Sequence, residues 1–431
     1  MGVSESSRDD LGSSINTNHG VAPGSRQVRH SGKVSKLDRW LVNKILSGLG
    51  NPPFSIQLWD GSEYAGSDRQ ITHKLFLTDR PALWLLAWDP EYYFGELYAS
   101  RRLMVQGELV EFLDTAYRST HGPGHKLSQF MQYLRHPPRF NSLSGSQKNI
   151  HHHYNIGNPF YSLWLDNEVM QYTCAYYPDP SMTLEQAQVA KLHHVARKLQ
   201  LKPGMTVVEA GCGWGGLARF FAQNYGVKIK AYNISHEQVV YATGKAREMG
   251  LQDQVEYIED DYRNIDGTFD VFVSVGMLEH VGRKNFQTLG SVVDRCLREE
   301  GVGLIHSIGR NRPGLMNAWV EKRIFPGAYP PSLKEMMDIF EPNHLSVLDV
   351  ENIRLHYART LEHWLERFEA NVDTVKQMFD ENFVRAWRLY LAGSISAFTA
   401  AHLQLFQVVF AREHNNAIPW SREHMYAEGH D

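Results

Sequence analysis

The stretch Thr206 to Ala222, TVVEAGCGWGGLARFFA, runs from a short apolar β segment through a turn with four glycines into an amphipathic helix. These residue types in this order make a cofactor turn. Gly211, Gly213 and Gly215 let the backbone bend sharply and approach a ligand, and the helix that follows directs its free N–H groups at it. Gly211, Gly213 and Gly216 also satisfy G-x-G-x-x-G. A dinucleotide site requires, in addition, an acid about 20 residues on, at the end of the next strand, to hold the ribose. Here the strand expected at Lys228 to Tyr232 ends in Asn233. Glu209, two residues before the first glycine, instead suits S-adenosylmethionine, whose amino-acid ammonium wants a carboxylate and which has no phosphate to cradle. That cofactor is the favoured ligand, with a dinucleotide and a degenerate turn as the alternatives.

In open α/β sheets ligands sit beyond the carboxyl ends of the strands, so polar residues there are candidates for chemistry. Glu279 and His280 follow the apolar run FDVFVSVG, and His306 lies in the apolar setting IHSIG. A polar side chain in such a place needs partners or a function. Alone, His306 reads as a satisfied core histidine; beside a cofactor turn it reads as functional. His151, His152 and His153 are adjacent, and successive side chains diverge in both strand and helix, so no metal site is expected of them. Cys212 reads as a small residue between glycines and Cys296 as helix core, while Cys174, in MQYTCAYY, stands among aromatics without helical period.

Positioning these residues takes an alternation of strands and helices. Strands are expected at Thr206–Ala210, Val227–Asn233, Gln254–Glu259, Phe269–Gly276, Val302–Gly309, Leu345–Ile353 and Leu403–Phe410, with helices at His236–Met249 and around Lys284–Arg298. The fold class is α/β: a seven-stranded Rossmann-like methyltransferase domain, preceded by a small α+β domain. Residues 1–33 read as a disordered tail, 34–120 as the small domain, 121–147 as a basic connector, 148–415 as the methyltransferase domain and 416–431 as a second tail. Within the small domain, Pro90 to Leu113 has helical apolar spacing broken by glycines.

A length of 431 residues allows two or three domains, and a net charge of −4 leaves no global basic surface for nucleic acid. Three cysteines, widely spaced, suit a reducing, cytoplasmic setting better than a disulfide framework. No run approaches the roughly 18 apolar residues of a membrane span. MGVSES matches a myristoylation pattern at Gly2 and Ser6, though so short a pattern arises readily by chance. Between Asp114 and Asp166 there is no carboxylate, while Arg118, Lys126, Arg135, Arg139 and Lys148 are interspersed with apolar residues. Such a stretch can lie on an anionic membrane surface or serve as a solvated linker.

With these residues in place, the chain resembles the cyclopropane fatty acid synthases. The likeness runs from about Lys148 to Phe410 through HHYNIGNPFYSLWLD, MQYTCAYY, LEQAQVAKL, LKPGMTVVEAGCGWGGLA, SVGMLEHVG, IFPGAYPPS and LQLFQVVF. The resemblance implies S-adenosylmethionine contacts at Tyr172, Thr173, Gly211, Cys212, Gly213, Asn233, Ile234, Ser235, Gln238, Tyr262 and Arg263. It implies a bicarbonate ion held by Cys174, Glu279, His306, Ile308 and Tyr357. It further implies methyl transfer to the cis double bond of an unsaturated phospholipid acyl chain, with ring closure, by a peripherally membrane-associated enzyme for which a homodimer is an option. A methyl-branched or methylene product, and a small-molecule N-methyltransferase, are the alternative outcomes. Ser394, in YLAGSISAF, stands where the family often has cysteine, and is expected in the pocket wall.

Overall fold

Ser35 and Asp38 open the first helix, Lys36–Gly48: the Ser35 hydroxyl accepts from the Asp38 N–H at 3.2 Å, and the Asp38 carboxylate accepts from the Ser35 N–H at 2.8 Å. This reciprocal cap satisfies donors that the helix itself cannot. The computed structural model in which it is seen describes residues 32–68, 70–119, 135–136 and 156–426. Most of the expected N-terminal tail, most of the basic connector with Lys126, Arg139 and Lys148, and His151 to His153 lie outside the described residues. The chain divides into two units, bounded by Met1–Pro138, Leu315–Pro326 and Leu361–His402 in one and by Arg139–Gly314, Gly327–Thr360 and Leu403–Asp431 in the other. The units interleave along the chain, whereas the sequence pattern suggests consecutive blocks.

The first unit carries a four-stranded sheet of β1 (Phe54–Gln57), β2 (Glu63–Ala65), β3 (His73–Leu77) and β4 (Leu103–Gln106), in the order β2-β1-β3-β4. Only β1 and β3 run parallel. The segment with helical apolar spacing broken by glycines, Pro90 to Leu113, also holds a strand, β4. Helix Pro90–Ala99 stops where Arg101 takes a left-handed φ of 59°, and the chain then pairs with β3. In the same unit, Trp319 covers Gly95 and Arg323 grips Glu96 with two bonds of 2.8 and 2.7 Å, which fixes Ala318–Arg323 on helix Pro90–Ala99.

The second unit is the seven-stranded α/β sheet that the alternation predicts: β5 (Thr206–Ala210), β6 (Lys228–Asn233), β7 (Val255–Glu259), β8 (Phe269–Val275), β9 (Leu297–Gly309), β10 (Leu345–Asn352) and β11 (Gln404–Arg412). Val207, Val271 and Val273 face one core, while Val208, Ala210 and Phe272 face the other. Burial on both faces is why these strands read as continuous apolar runs. The order is β10-β11-β9-β8-β5-β6-β7, with β11 antiparallel to both of its neighbours. The strand nearest the chain end thus inserts between β10 and β9. The segment through Tyr426 is tied to this unit by Arg422 on Asp349 at 2.7 Å and by the buried Met425. Order reverses at β5: the chain adds β6 and β7 on one side of it and then crosses to add β8 and β9 on the other, and the carboxyl end of such a switch point is where a ligand fits.

Candidate active site

At that switch point Gly211, Gly213 and Gly215 all take positive φ, at 84°, 52° and 74°. A Cβ on Gly211 would stand 2.8 Å from the Cβ of Met277, so the turns after β5 and β8 touch through the missing side chain. At Gly213 a Cβ would meet nothing within 4 Å. The turn is open there. Glu209, the penultimate residue of β5, is buried, and its Oε2 has no hydrogen-bond partner among the described residues. Burial pushes its acid up, against the pull of Lys191 and Arg219.

Beside the turn lies a cleft of about 420 Å³, partly open to solvent, walled by Gly211, Asn233, Ile234, Tyr262, Arg263 and Met277 among others. Asn233 Nδ2 donates to the Gly213 carbonyl at 3.1 Å and to Gln238 Oε1 at 2.8 Å, which locks the end of β6 to the turn. Ser235 caps onto the same amide, its N–H 3.2 Å from Asn233 Oδ1. Gln238 Nε2 and the Tyr262 hydroxyl are buried polar atoms without partners among the described residues. His280 also lines the cleft, and burial pushes its imidazole down to about 4.

Tyr172, Thr173 and Cys174 arrive on an irregular segment that polar residues hold in place. Asp166 accepts from the N–H groups of Val169, Met170 and Gln171 at 2.7, 2.9 and 2.7 Å. Tyr172 packs on Tyr161 and Trp164, and Tyr161 in turn on Trp214 of the glycine turn. Lys191, fully buried, donates to Gln171 Oε1 at 2.5 Å and to Thr173 Oγ1 at 3.2 Å. Its charge acts on Glu209, Cys174 and His306, and burial pushes its own ammonium down. The Thr173 methyl fills the space of a Cβ on Gly276, whose N–H donates to the His306 carbonyl at 2.9 Å. Ala175 N–H bonds Thr360 Oγ1 at 3.0 Å, one helical turn from the buried Tyr357.

Glu279 follows β8 on a short helical turn, is buried, and accepts from the Ile308 N–H at 2.6 Å through Oε1. Oε2 has no partner among the described residues, and burial pushes the acid up to about 7. Near neutral pH Glu279 therefore holds or releases a proton with little cost, as an acid–base or anion-sharing group must. Burial, with the charges of Lys191 and Lys198, pushes the His306 imidazole well down and keeps it neutral. Burial also pushes the Cys174 thiol well up. No cluster of metal-ligating side chains occurs among the described residues.

The model of the mycolic acid cyclopropane synthetase family matches residues 141–408. The chain belongs to the cyclopropane fatty acid synthase family. A probable fatty acid methyltransferase of Pseudomonas putida is 33% identical over 390 residues, covering 87% of this chain and 96% of the relative. The cyclopropane-fatty-acyl-phospholipid synthase of Escherichia coli K12 is 43% identical over 271 residues, covering 63% of this chain and 69% of the relative. The crystal structure of mycolic acid cyclopropane synthase CmaA1 complexed with SAH and CTAB superposes with a TM-score of 0.58 at 27% identity, covering 61% of this chain and 97% of that one. This member of the cyclopropane fatty acid synthase family is an S-adenosylmethionine-dependent methyltransferase.

Of the residues named from the sequence, Gly211, Asn233, Ile234, Tyr262 and Arg263 line one cleft, and Glu279 is hydrogen-bonded to Ile308. Ser394 is instead half-buried on helix Glu381–Thr399 of the first unit. Sequence reasoning passed over Asp166, Lys191, Lys198 and Gln407. A signal for the lysines existed: Gln188, Lys191 and Lys198 occupy buried positions of helix Leu184–Lys198, on the stripe where Leu184, Leu192 and Val195 are apolar.

Proposed function

We propose that the enzyme moves a methyl group from S-adenosylmethionine to the cis double bond of an unsaturated phospholipid acyl chain and closes a cyclopropane ring, with bicarbonate as the base. The observation that carries this reading is Glu279: a buried acid with one oxygen on the Ile308 N–H, the other without a partner among the described residues, and a pKa of about 7. The Escherichia coli relative, whose name specifies that substrate class, supports it.

The residues fit the cofactor. The open backbone at Gly213 leaves room for close approach, and Glu209 Oε2, Gln238 Nε2 and the Tyr262 hydroxyl are polar atoms in want of partners. Glu209 would take the ammonium, Asn233 to Gln238 with Tyr262 and Arg263 the nucleoside, and Tyr172 and Thr173 the methionine side. Bound there, S-adenosylmethionine supplies an electrophilic methyl. An alkene is a weak nucleophile, so the protein's contribution is alignment at short range in a dry site. The faces of Tyr172, Tyr177 and Tyr357 would stabilise the cation that the alkylated chain becomes, whereas Tyr176, expected to share this role, is stacked on His194 and His356.

Bicarbonate would accept the proton lost from the added methyl as the ring closes. Glu279, carrying a proton, would share it with that anion and so orient the base without competing for the substrate proton. Cys174, His306, Ile308 and Tyr357 would complete the pocket. We further place the enzyme peripherally at a membrane surface. Among the described residues no helix is long and apolar enough to cross a membrane. A methyl-branched product is the second reading; the Pseudomonas putida relative's name specifies methyl transfer to a fatty acid without naming a ring.

Product analysis tests the reading: with labelled cofactor and vesicles of cis-unsaturated phospholipid, the acyl chains should gain one CH₂ and show proton resonances of a three-membered ring. A labelled product with an exomethylene or a reduced methyl branch would replace ring closure with the second reading. No label in lipid would overturn both.

A further inference from the structure

Three residues form one rung of the large sheet. Glu351 on β10 stands opposite Gln407 on β11, which stands opposite His306 on β9. Residues directly opposite share a face and touch. Lys198, at the end of helix Leu184–Lys198, reaches over the rung: its Nζ donates to Glu351 Oε2 at 2.5 Å and to Gln407 Oε1 at 2.8 Å. Gln407 Nε2 lies 3.1 Å from His306 Nδ1. His194, one helical turn before Lys198, adds a bond from Nε2 to Glu351 Oε2 at 2.7 Å. Gln407, Lys198 and His306 are all buried.

The donor and acceptor types leave one assignment. An ammonium only donates, so the Gln407 atom facing Lys198 is the carbonyl oxygen, and the atom facing His306 is the NH₂ group. An NH₂ group also only donates. His306 Nδ1 must then offer a lone pair, and a neutral imidazole whose Nδ1 is an acceptor carries its proton on Nε2. Protonating the ring would set an N–H against an NH₂ beside two buried ammoniums, Lys191 and Lys198, with only Glu351 to compensate.

We infer that Lys198 and Gln407, anchored by Glu351, are positioning residues that hold His306 neutral with its proton on Nε2, so that it meets the anion of the active site as a hydrogen-bond donor. This rests on the anion pocket proposed above. The chemistry gives the arrangement a purpose: a neutral N–H orients an oxyanion while leaving it basic, whereas an imidazolium would pair with the anion and weaken it as a base.

The test begins with the unaltered full-length protein. In ¹⁵N-histidine-labelled enzyme, with the His306 resonances assigned by their loss in His306→Gln, long-range ¹H–¹⁵N spectra between pH 6 and 9 should show the Nε2–H tautomer throughout. An Nδ1–H tautomer, or an imidazolium appearing in that range, overturns the inference. Gln407→Glu puts an acceptor opposite Nδ1 and should flip the tautomer, raising the KM for bicarbonate by about 10- to 100-fold, the range expected when a hydrogen bond to a charged group is lost. The dissociation constant for S-adenosylhomocysteine should stay within about twofold, which a general packing defect would not allow. A flipped tautomer with an unchanged KM overturns the link between the rung and the anion. Gln407→Met, similar in volume, removes the donor without supplying an acceptor and should leave the KM closer to wild type than Gln407→Glu does; an equal rise with the Nε2–H tautomer kept would overturn the link as well. Wild-type turnover with no bicarbonate dependence would refute the anion pocket instead, and the wild-type spectrum alone would still decide the tautomer.

Discussion

Glu351 on the sheet rung and Glu209 at the cofactor turn are both carboxylates drawn out of water, yet their surroundings act on them in opposite senses. Burial alone would raise Glu351, but His194 at 2.7 Å and Lys198 at 2.5 Å outweigh it and pull the acid down to about 2. At Glu209 burial wins, and one oxygen lacks a partner among the described residues. The two regions use similar residue types for different ends. A carboxylate satisfied inside the protein holds geometry; one left wanting a cation is stabilised when a ligand brings it.

Two substitutions sharpen or break that contrast. Glu209→Gln removes the charge proposed for the cofactor ammonium and should weaken S-adenosylhomocysteine binding by about 10- to 100-fold, with little change in thermal midpoint. Calorimetric titration reads this, and an affinity equal to wild type would erase the distinction between the two acids. Glu351→Gln should do the reverse, leaving cofactor affinity within about twofold while costing about 2 kcal/mol of stability at pH 7, a figure discounted for the partial exposure of Glu351. The pH course has a fixed sign. The folded acid lies near 2 and the ordinary value near 4.5, so its contribution is complete above the ordinary value and disappears as pH falls toward the folded one. Denaturant midpoints for wild type and variant should therefore lie closer together at pH 3 than at pH 7. A constant gap would mean that the rung is not held by charge.

The turn Thr206 to Ala222 was legible because its signal is local: apolar run, acid, glycines and helix follow one another within one segment. The strands of the second unit were legible for the same reason, since burial on both faces writes each of them as a continuous apolar run. What stayed hidden depends on distant pairing. Gln407 and His306 are 101 positions apart and meet only through the register of β9 and β11. Lys198 lies on the buried stripe of its helix, but only the packed sheet shows that its ammonium meets Glu351 and Gln407. The interleaving of the two units is likewise a matter of long-range contacts, which no local pattern encodes. Ser394 was conspicuous as a departure from a family pattern, but neighbouring residues in sequence do not say what it faces. β4 was missed because a four-residue strand between two helices leaves too little alternation to outweigh helical spacing on both sides.

The central claim is that Glu279, buried with a proton to share, exists to seat an anionic base. Turnover of cis-unsaturated phospholipid vesicles in carbon-dioxide-free buffer, with bicarbonate added back stepwise, tests it most directly. The wild-type enzyme should show a saturable rise in rate with bicarbonate, and Glu279→Gln a rate at least about 100-fold lower with no such response. Full wild-type activity without bicarbonate, or an unaltered response in Glu279→Gln, would contradict it.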